Sequence, residues 1–187
     1  MISQSLKKLK KSKENIELEA LSLRLSALKM KDSLTSINPG DRLAPGVFLL
    51  QDPRSKRKIE ITSPKDKVVH IRASEHQQTS WTTLHFQLET LDMPQVDLLG
   101  LMVKAQSFTE QAQTIPVAIR NGTRSGFRDA FFPKQIVLTD SMGRHVDMAD
   151  PAELQGLPQM AEWRELILFL PAYDIDFCIT KMSFIVQ

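Results

Sequence analysis

The sequence predicts a mainly β protein: an antiparallel jelly-roll-type β-sandwich preceded by a long N-terminal amphipathic α-helix. Two observations carry this. The hydrophobic period changes at Asn38-Pro39-Gly40, from alternating steps of four and three to steps of two. After that point the apolar runs are short and separated by Pro, Gly, Asp and Asn. A period near 3.5 is a helix seam, and a period of two is a half-buried strand. The chain accordingly divides into residues 1–38, a helical, coiled-coil-like segment, and residues 39–187, a sandwich domain.

In the first segment the seam reads Ile2, Leu6, Leu9, Lys13, Ile16, Ala20, Leu23, Ala27, Met30, Leu34 and Ile37, apolar at ten of eleven positions. Between Ile16 and Met30 there is no Val or Thr, which favours helix over the competing strand-like alternation Leu21-Ser-Leu23-Arg-Leu25. Leu18, Leu21, Leu25 and Leu28 form a second stripe. Two apolar sides leave open whether the helix packs on its own body, self-associates or captures a partner protein. Leu9, Ile16, Leu23 and Met30 are the candidate contact residues within residues 2–37. Contact of the clustered N-terminal lysines with an anionic membrane surface is the weakest of these readings, because no aromatic residue accompanies them.

The strands follow in order. Val47–Leu50 ends at Asp52-Pro53, and Lys58–Thr62 at Ser63-Pro64. Val69–Ala73 comes next, then Leu84, Phe86 and Leu88 alternating with polar residues. Leu99, Leu101, Val103 and Ala105 are backed by Leu98 and Met102 and read as a strand buried on both sides. Ile115, Val117 and Ile119 run to Asn121-Gly122, a favoured tight-turn dipeptide. Ile136–Leu138 runs to the Asp140–Gly143 turn. Residues 149–162 read as an irregular loop with one short helical turn. Leu166, Leu168 and Leu170 lead through Pro171–Asp174 into Ile175, Phe177 and Ile179, after which the apolar phase shifts to Met182, Phe184 and Val186. A β-bulge produces such a slip. Eight to ten short strands without intervening helices favour a jelly roll, and the absence of a Cys…Trp…Cys spacing argues against an immunoglobulin-like arrangement.

Composition narrows the function. Apolar content of 42% is ample for a core. The lone Cys178 reads as a small buried apolar residue, and sparse cysteine suits a reducing compartment. Neither a signal peptide nor a membrane span is expected, so the expected location is cytoplasmic, with export independent of a cleaved signal left open. Residues 1–38 carry a net charge of +4 and residues 39–187 a net charge of −2, so the body is not a basic nucleic-acid platform and no nucleic-acid partner is expected. The basic tract Arg54–Lys58 lacks interleaved aromatics and reads as a solvated hairpin end.

Chemistry-bearing motifs are sparse. His70, His76, His85 and His145 form no ligand spacing, so no metal and no cofactor is expected. His70 and His85 read as solvent-facing partners of apolar neighbours. No phosphate loop or nucleophile elbow occurs, and no enzyme is expected, although carboxylates on a sandwich face remain a third reading. The most suggestive cluster is the polar stretch 120–129, read as a loop. Its Arg120, Asn121, Arg124, Arg128 and Asp129 offer guanidinium forks for anions and an amide and carboxylate for sugar hydroxyls. Trp81 and Trp163 read as core-end plugs, whereas Tyr173 reads as an exposed ring for stacking.

Residues 45–187 resemble the galactose-binding-like jelly rolls that include many carbohydrate-binding modules. The resemblance lies in Trp81-Thr-Thr-Leu84-His-Phe86, in Arg120–Asp129 leading into Ala130-Phe-Phe-Pro133, and in the closing hairpin from Trp163-Arg-Glu-Leu166 to Phe184. It implies a ligand held by loops at one end of the sandwich. Together these features predict a non-catalytic binding module for acidic or neutral glycan, with weak contacts raised to avidity through the helix. The alternative is an assembly protein whose helix and sandwich dock to other subunits.

Overall fold

The computed structural model describes residues 40–64, 67–74, 81–88 and 93–187. The helix contacts expected at Leu9, Ile16, Leu23 and Met30 lie outside the described residues, as does the domain boundary at 38/39.

Among the described residues thirteen strands follow one another: β1 (Arg42–Ala44), β2 (Val47–Gln51), β3 (Lys58–Thr62), β4 (Val69–Ser74), β5 (Thr82–Leu88), β6 (Leu99–Ser107), β7 (Gln113–Ile115), β8 (Val117–Thr123), β9 (Gly126–Phe131), β10 (Ile136–Leu138), β11 (Gly143–Ala149), β12 (Trp163–Phe169) and β13 (Ile175–Val186). They form a six-stranded sheet, β1-β2-β5-β12-β8-β9, a five-stranded sheet, β11-β6-β13-β4-β3, and a short β10-β7 pair. Every pairing is antiparallel. Pro116 separates β7 from β8, since proline cannot donate to a ladder.

The core lies between the two large sheets. Leu49, Leu84, Phe86, Val117, Ile119, Leu166 and Leu168 come from one, and Ile59, Ile71, Leu101, Val103, Phe177, Phe184 and their neighbours from the other. These positions are the apolar members of the period-two pattern, so alternation alone selects the inner face. The phase change in the last strand is a register shift between Ile179 and Lys181, where the sequence places the bulge. Cys178 is buried, and burial pushes its thiol above the ordinary range.

Several expectations are corrected. The stretch 120–129 is not a loop but most of the β8–β9 hairpin, which turns at Thr123–Gly126 with Gly126 at φ +123°. Asn121-Gly122 is not a turn and lies inside β8. The first half of residues 149–162 makes turns without helix; Asp150 organises them, its carboxylate accepting from the Ala152 amide at 2.8 Å. His85 is fully buried rather than solvent-facing, and His70 is half-buried against Asp176 at 2.6 Å. Neither tryptophan plugs the core: Trp81 and Trp163 are 43% and 42% exposed.

Asn121 turns inward at 0% exposure. Its side-chain amide donates to the carbonyls of Ile119 and Arg128, and its oxygen accepts from Arg164. Arg164, itself 1% exposed, donates its other terminal nitrogen to Pro158 O at 3.0 Å and Gln159 O at 3.1 Å. Burial lowers the pKa of this guanidinium. One inner-face cation thus ties β12 to β8 and to the 150–162 connection. Asn121→Ala should cost about 2–4 kcal/mol in chemical denaturation, because it strips a buried charge of one acceptor.

His145 is half-buried on β11, its Nε2 is buried without a hydrogen-bond partner, and burial lowers its pKa. Protonation therefore favours the unfolded chain. Stability should be full above about pH 6.5 and fall as pH drops through the lowered value, and His145→Gln should flatten that part of a Tm-against-pH curve.

Candidate functional site

With the inner faces committed to the core, register determines which side chains share the outer face of the six-stranded sheet, where His85, Ile167 and Ala118 are themselves buried. One row runs Gln87, Glu165, Arg120, Asp129 across β5, β12, β8 and β9. The next runs Phe48, His85, Ile167, Ala118, Phe131. On the other side of the polar row lie Trp163, Gly122 and Phe127. Trp81 precedes β5 in phase with Thr83 and His85. Trp81, Phe127, Phe131 and Trp163 are each between 42% and 58% exposed. Trp163 and Phe127 flank the polar row on one side and Phe131 on the other, while Trp81 lies about 20 Å along β5 from Gln87. Three of these exposed rings stand in adjacent rows and form one patch rather than scattered exposed residues.

The polar centre is held rigidly. The Arg120 fork donates to both Asp129 carboxylate oxygens at 2.7 Å, and its guanidinium carbon sits 4.0 Å from the Phe127 ring centroid. The cation is therefore already neutralised, and its plane is fixed over an aromatic face. Glu165 is bonded to His85 Nδ1 at 2.8 Å, and His85 Nε2 to Thr83 Oγ1 at 2.8 Å. The imidazole stacks under Phe48 at 4.8 Å between centroids. Thr83, His85 and Glu165 thus form a chain of hydrogen bonds on the outer side of the sheet, where core packing does not require one.

Gly122 accounts for the position of Trp163. A Cβ built at residue 122 would collide with the indole, so the ring lies flat on the bare backbone of β8. Gly122→Ala should push Trp163 off the sheet, read as a shift in tryptophan emission with a thermal unfolding midpoint that moves only modestly.

The sequence-selected residues scatter over this geometry. Arg120 and Asp129 sit in the polar row. Arg124 is exposed in the hairpin turn, and Arg128, cross-strand from inward-facing Asn121, is on the other side of edge strand β9. Asn121 belongs to the interior. Tyr173 is half exposed beyond the far end of β12 from the hairpin turn, its carbonyl accepting from Arg57 at 2.5 Å. The sequence reading missed Trp81, Trp163, Phe127, Phe131, Glu165 and His85. A signal existed: Phe127, Asp129 and Phe131 alternate within Gly126–Phe131, but assigning the turn to Asn121-Gly122 hid it.

Among the described residues no group of three His, Cys, Asp or Glu could hold a metal ion.

No family model and no curated protein matches the chain. Solved structures do. A CBM4 structure aligns at TM-score 0.56 with 13% identity, over 75% of this chain and 86% of that one. A family 11 carbohydrate-binding module from Clostridium thermocellum, in complex with a β-1,3-1,4-mixed-linked tetrasaccharide, aligns at 0.53 with 12% identity, over 82% and 96%. The N-terminal cellulose-binding domain of Cellulomonas fimi β-1,4-glucanase C aligns at 0.51 with 10% identity, over 76% and 89%. The fold is thus shared with jelly-roll carbohydrate-binding modules, as the resemblance implies. At these identities the likeness shows the fold alone.

Proposed function

We propose that the protein is a non-catalytic glycan-binding β-sandwich module whose binding surface is the outer face of the six-stranded sheet rather than a loop cluster at one end. The observation that carries this reading is the placement of exposed Trp163 and Phe127 on one side and Phe131 on the other side of the Gln87–Glu165–Arg120–Asp129 row, with Trp81 further along the same face. A sugar ring has an apolar C–H face and an equatorial rim of hydroxyls. Aromatic rings match the face, and fixed charged or amide groups match the rim. The fold shared with the carbohydrate-binding modules is in keeping with it.

The charges of this surface favour uncharged hydroxyls. Arg120 is engaged by Asp129 and Glu165 is anchored by His85, so no free cation stands in the polar row to take a carboxylate or sulfate. Recognition then works by stacking and by acceptance from sugar hydroxyls at Glu165 and Asp129. The groups are pre-ordered, which lowers the entropy lost on binding. Multiplication through residues 2–37 would raise a weak single-site affinity.

Affinity electrophoresis against soluble polysaccharides, followed by calorimetry, tests this. Trp163→Ala and Phe127→Ala should each weaken glycan binding at least about tenfold, roughly 1.4 kcal/mol, with the fold retained. Arg124→Ala, in the turn, should leave it unchanged. Retardation that persists in the double aromatic variant would overturn the placement, and a blank across neutral glycans would overturn the function.

A further inference from the structure

The opposite side of the sandwich carries a different surface. On the outer face of the five-stranded sheet, Arg144 of β11 is the cross-strand partner of Lys104 in β6, and Lys104 is the partner of Lys181 in β13. Three cations therefore stand side by side at one level of three adjacent strands. Strands lie about 4.8 Å apart, so the row is about 10 Å long. All three residues are exposed, and none makes an ion pair or side-chain hydrogen bond among the described residues. Like charges directly opposite one another destabilise a sheet, so the arrangement works against the fold that displays it.

Lys181 reaches this row because of the bulge. In the first half of β13 the odd-numbered residues Ile175, Phe177 and Ile179 are buried, and that phase would aim residue 181 at the core. The register shift between Ile179 and Lys181 moves burial to Met182, Phe184 and Val186 and turns Thr180 and Lys181 outward together. Bulges commonly re-aim a side chain in this way. Beside the cations lies an uncharged row, Val146, Met102 and Ser183, followed by Met148, Gly100 and Ile185. Of the acidic side chains on this face, Glu60 and Asp176 lie towards the β3–β4 edge, and Asp176 is held by His70 and Arg72.

We propose that Arg144, Lys104 and Lys181 form a second binding strip, for the carboxylate or sulfate groups of a linear acidic glycan lying across the strands. Methylene and methyl groups of Met102 and Val146 would meet the sugar C–H surface beside it. The charge pattern fits one anion per sugar. The body carries a net charge of −2 over residues 39–187, so a polyanion is not drawn to it as a whole. A nucleic-acid duplex, with one charge per about 1.7 Å, would meet that negative body beyond the three cations. A bilayer is matched less well, since the rows next to the strip hold no aromatic ring, and Phe108, exposed further along this face, is packed against His70 with Lys67 over it.

The full chain should bind polygalacturonate or heparin at about 50 mM salt, with affinity falling steeply as salt rises. Lys104→Glu/Lys181→Glu should lose at least tenfold in that affinity without loss of Tm, and Lys104→Gln/Lys181→Gln should show an intermediate loss. Polygalacturonate against heparin separates carboxylate from sulfate as the anion. Trp163→Ala should leave acidic-glycan binding intact while weakening neutral-glycan binding at least about tenfold, so the two faces fail independently. The proposal is overturned if wild type binds neither polymer, if the charge-reversed variant binds as tightly, or if phosphatidylserine vesicles or an oligonucleotide bind the strip more tightly than either glycan.

Discussion

The register of β12 between β5 and β8 is the constraint on which the rest of the molecule depends. Leu166 and Leu168 must enter the core, which leaves Glu165, Ile167 and Phe169 on the other face and fixes Trp163 over Gly122. A slip of one residue would bury Glu165 and expose the leucines, which the hydrophobic effect forbids. Arg164 reinforces this register at the end of the strand, because its two terminal nitrogens find acceptors only when Asn121 and the carbonyls of residues 158 and 159 are all in place. Core packing and one buried polar contact thereby decide what the outer surface displays.

The two outer faces differ for the same reason that the inner faces agree. Inner positions are chosen by burial and carry mostly aliphatic and Phe side chains, with the bonded pair Asn121 and Arg164 as a polar exception. Outer positions are less bound by that demand, and here they have diverged into aromatic rings flanking a neutralised polar row on one side and a cationic row on the other. The aromatic surface is costly to leave in water, and the cationic row is unfavourable within its own sheet. Neither is explained by stability of the isolated fold.

Much of the architecture was legible in the chain. The period of two from residue 47 onward marked the principal strands, and the apolar phase change after Ile179 marked the bulge, because both are local consequences of burying one face of a pleated strand. The misreadings have physical causes too. Asn121-Gly122 has the composition of a tight turn, but the carboxamide is engaged inside the sandwich and the glycine is required by an indole from another strand. Trp81 and Trp163 look like core residues by type, yet type does not distinguish the two faces of a strand. His85 alternates correctly onto the outer side and is nevertheless buried, because Phe48 from β2 lies over it.

By itself, then, the sequence determined the antiparallel β-sandwich of the body, its principal strands and the bulge, since hydrophobic alternation is a property of neighbours along the chain. Only the tertiary structure decided which side chains share a surface. Trp163 meets Gly122 across more than 40 residues of sequence, and Lys104 meets Lys181 across more than 70. Such pairings are set by which strands hydrogen-bond and in what register. That choice is made by the packing of the whole core, and no local pattern in the chain encodes it.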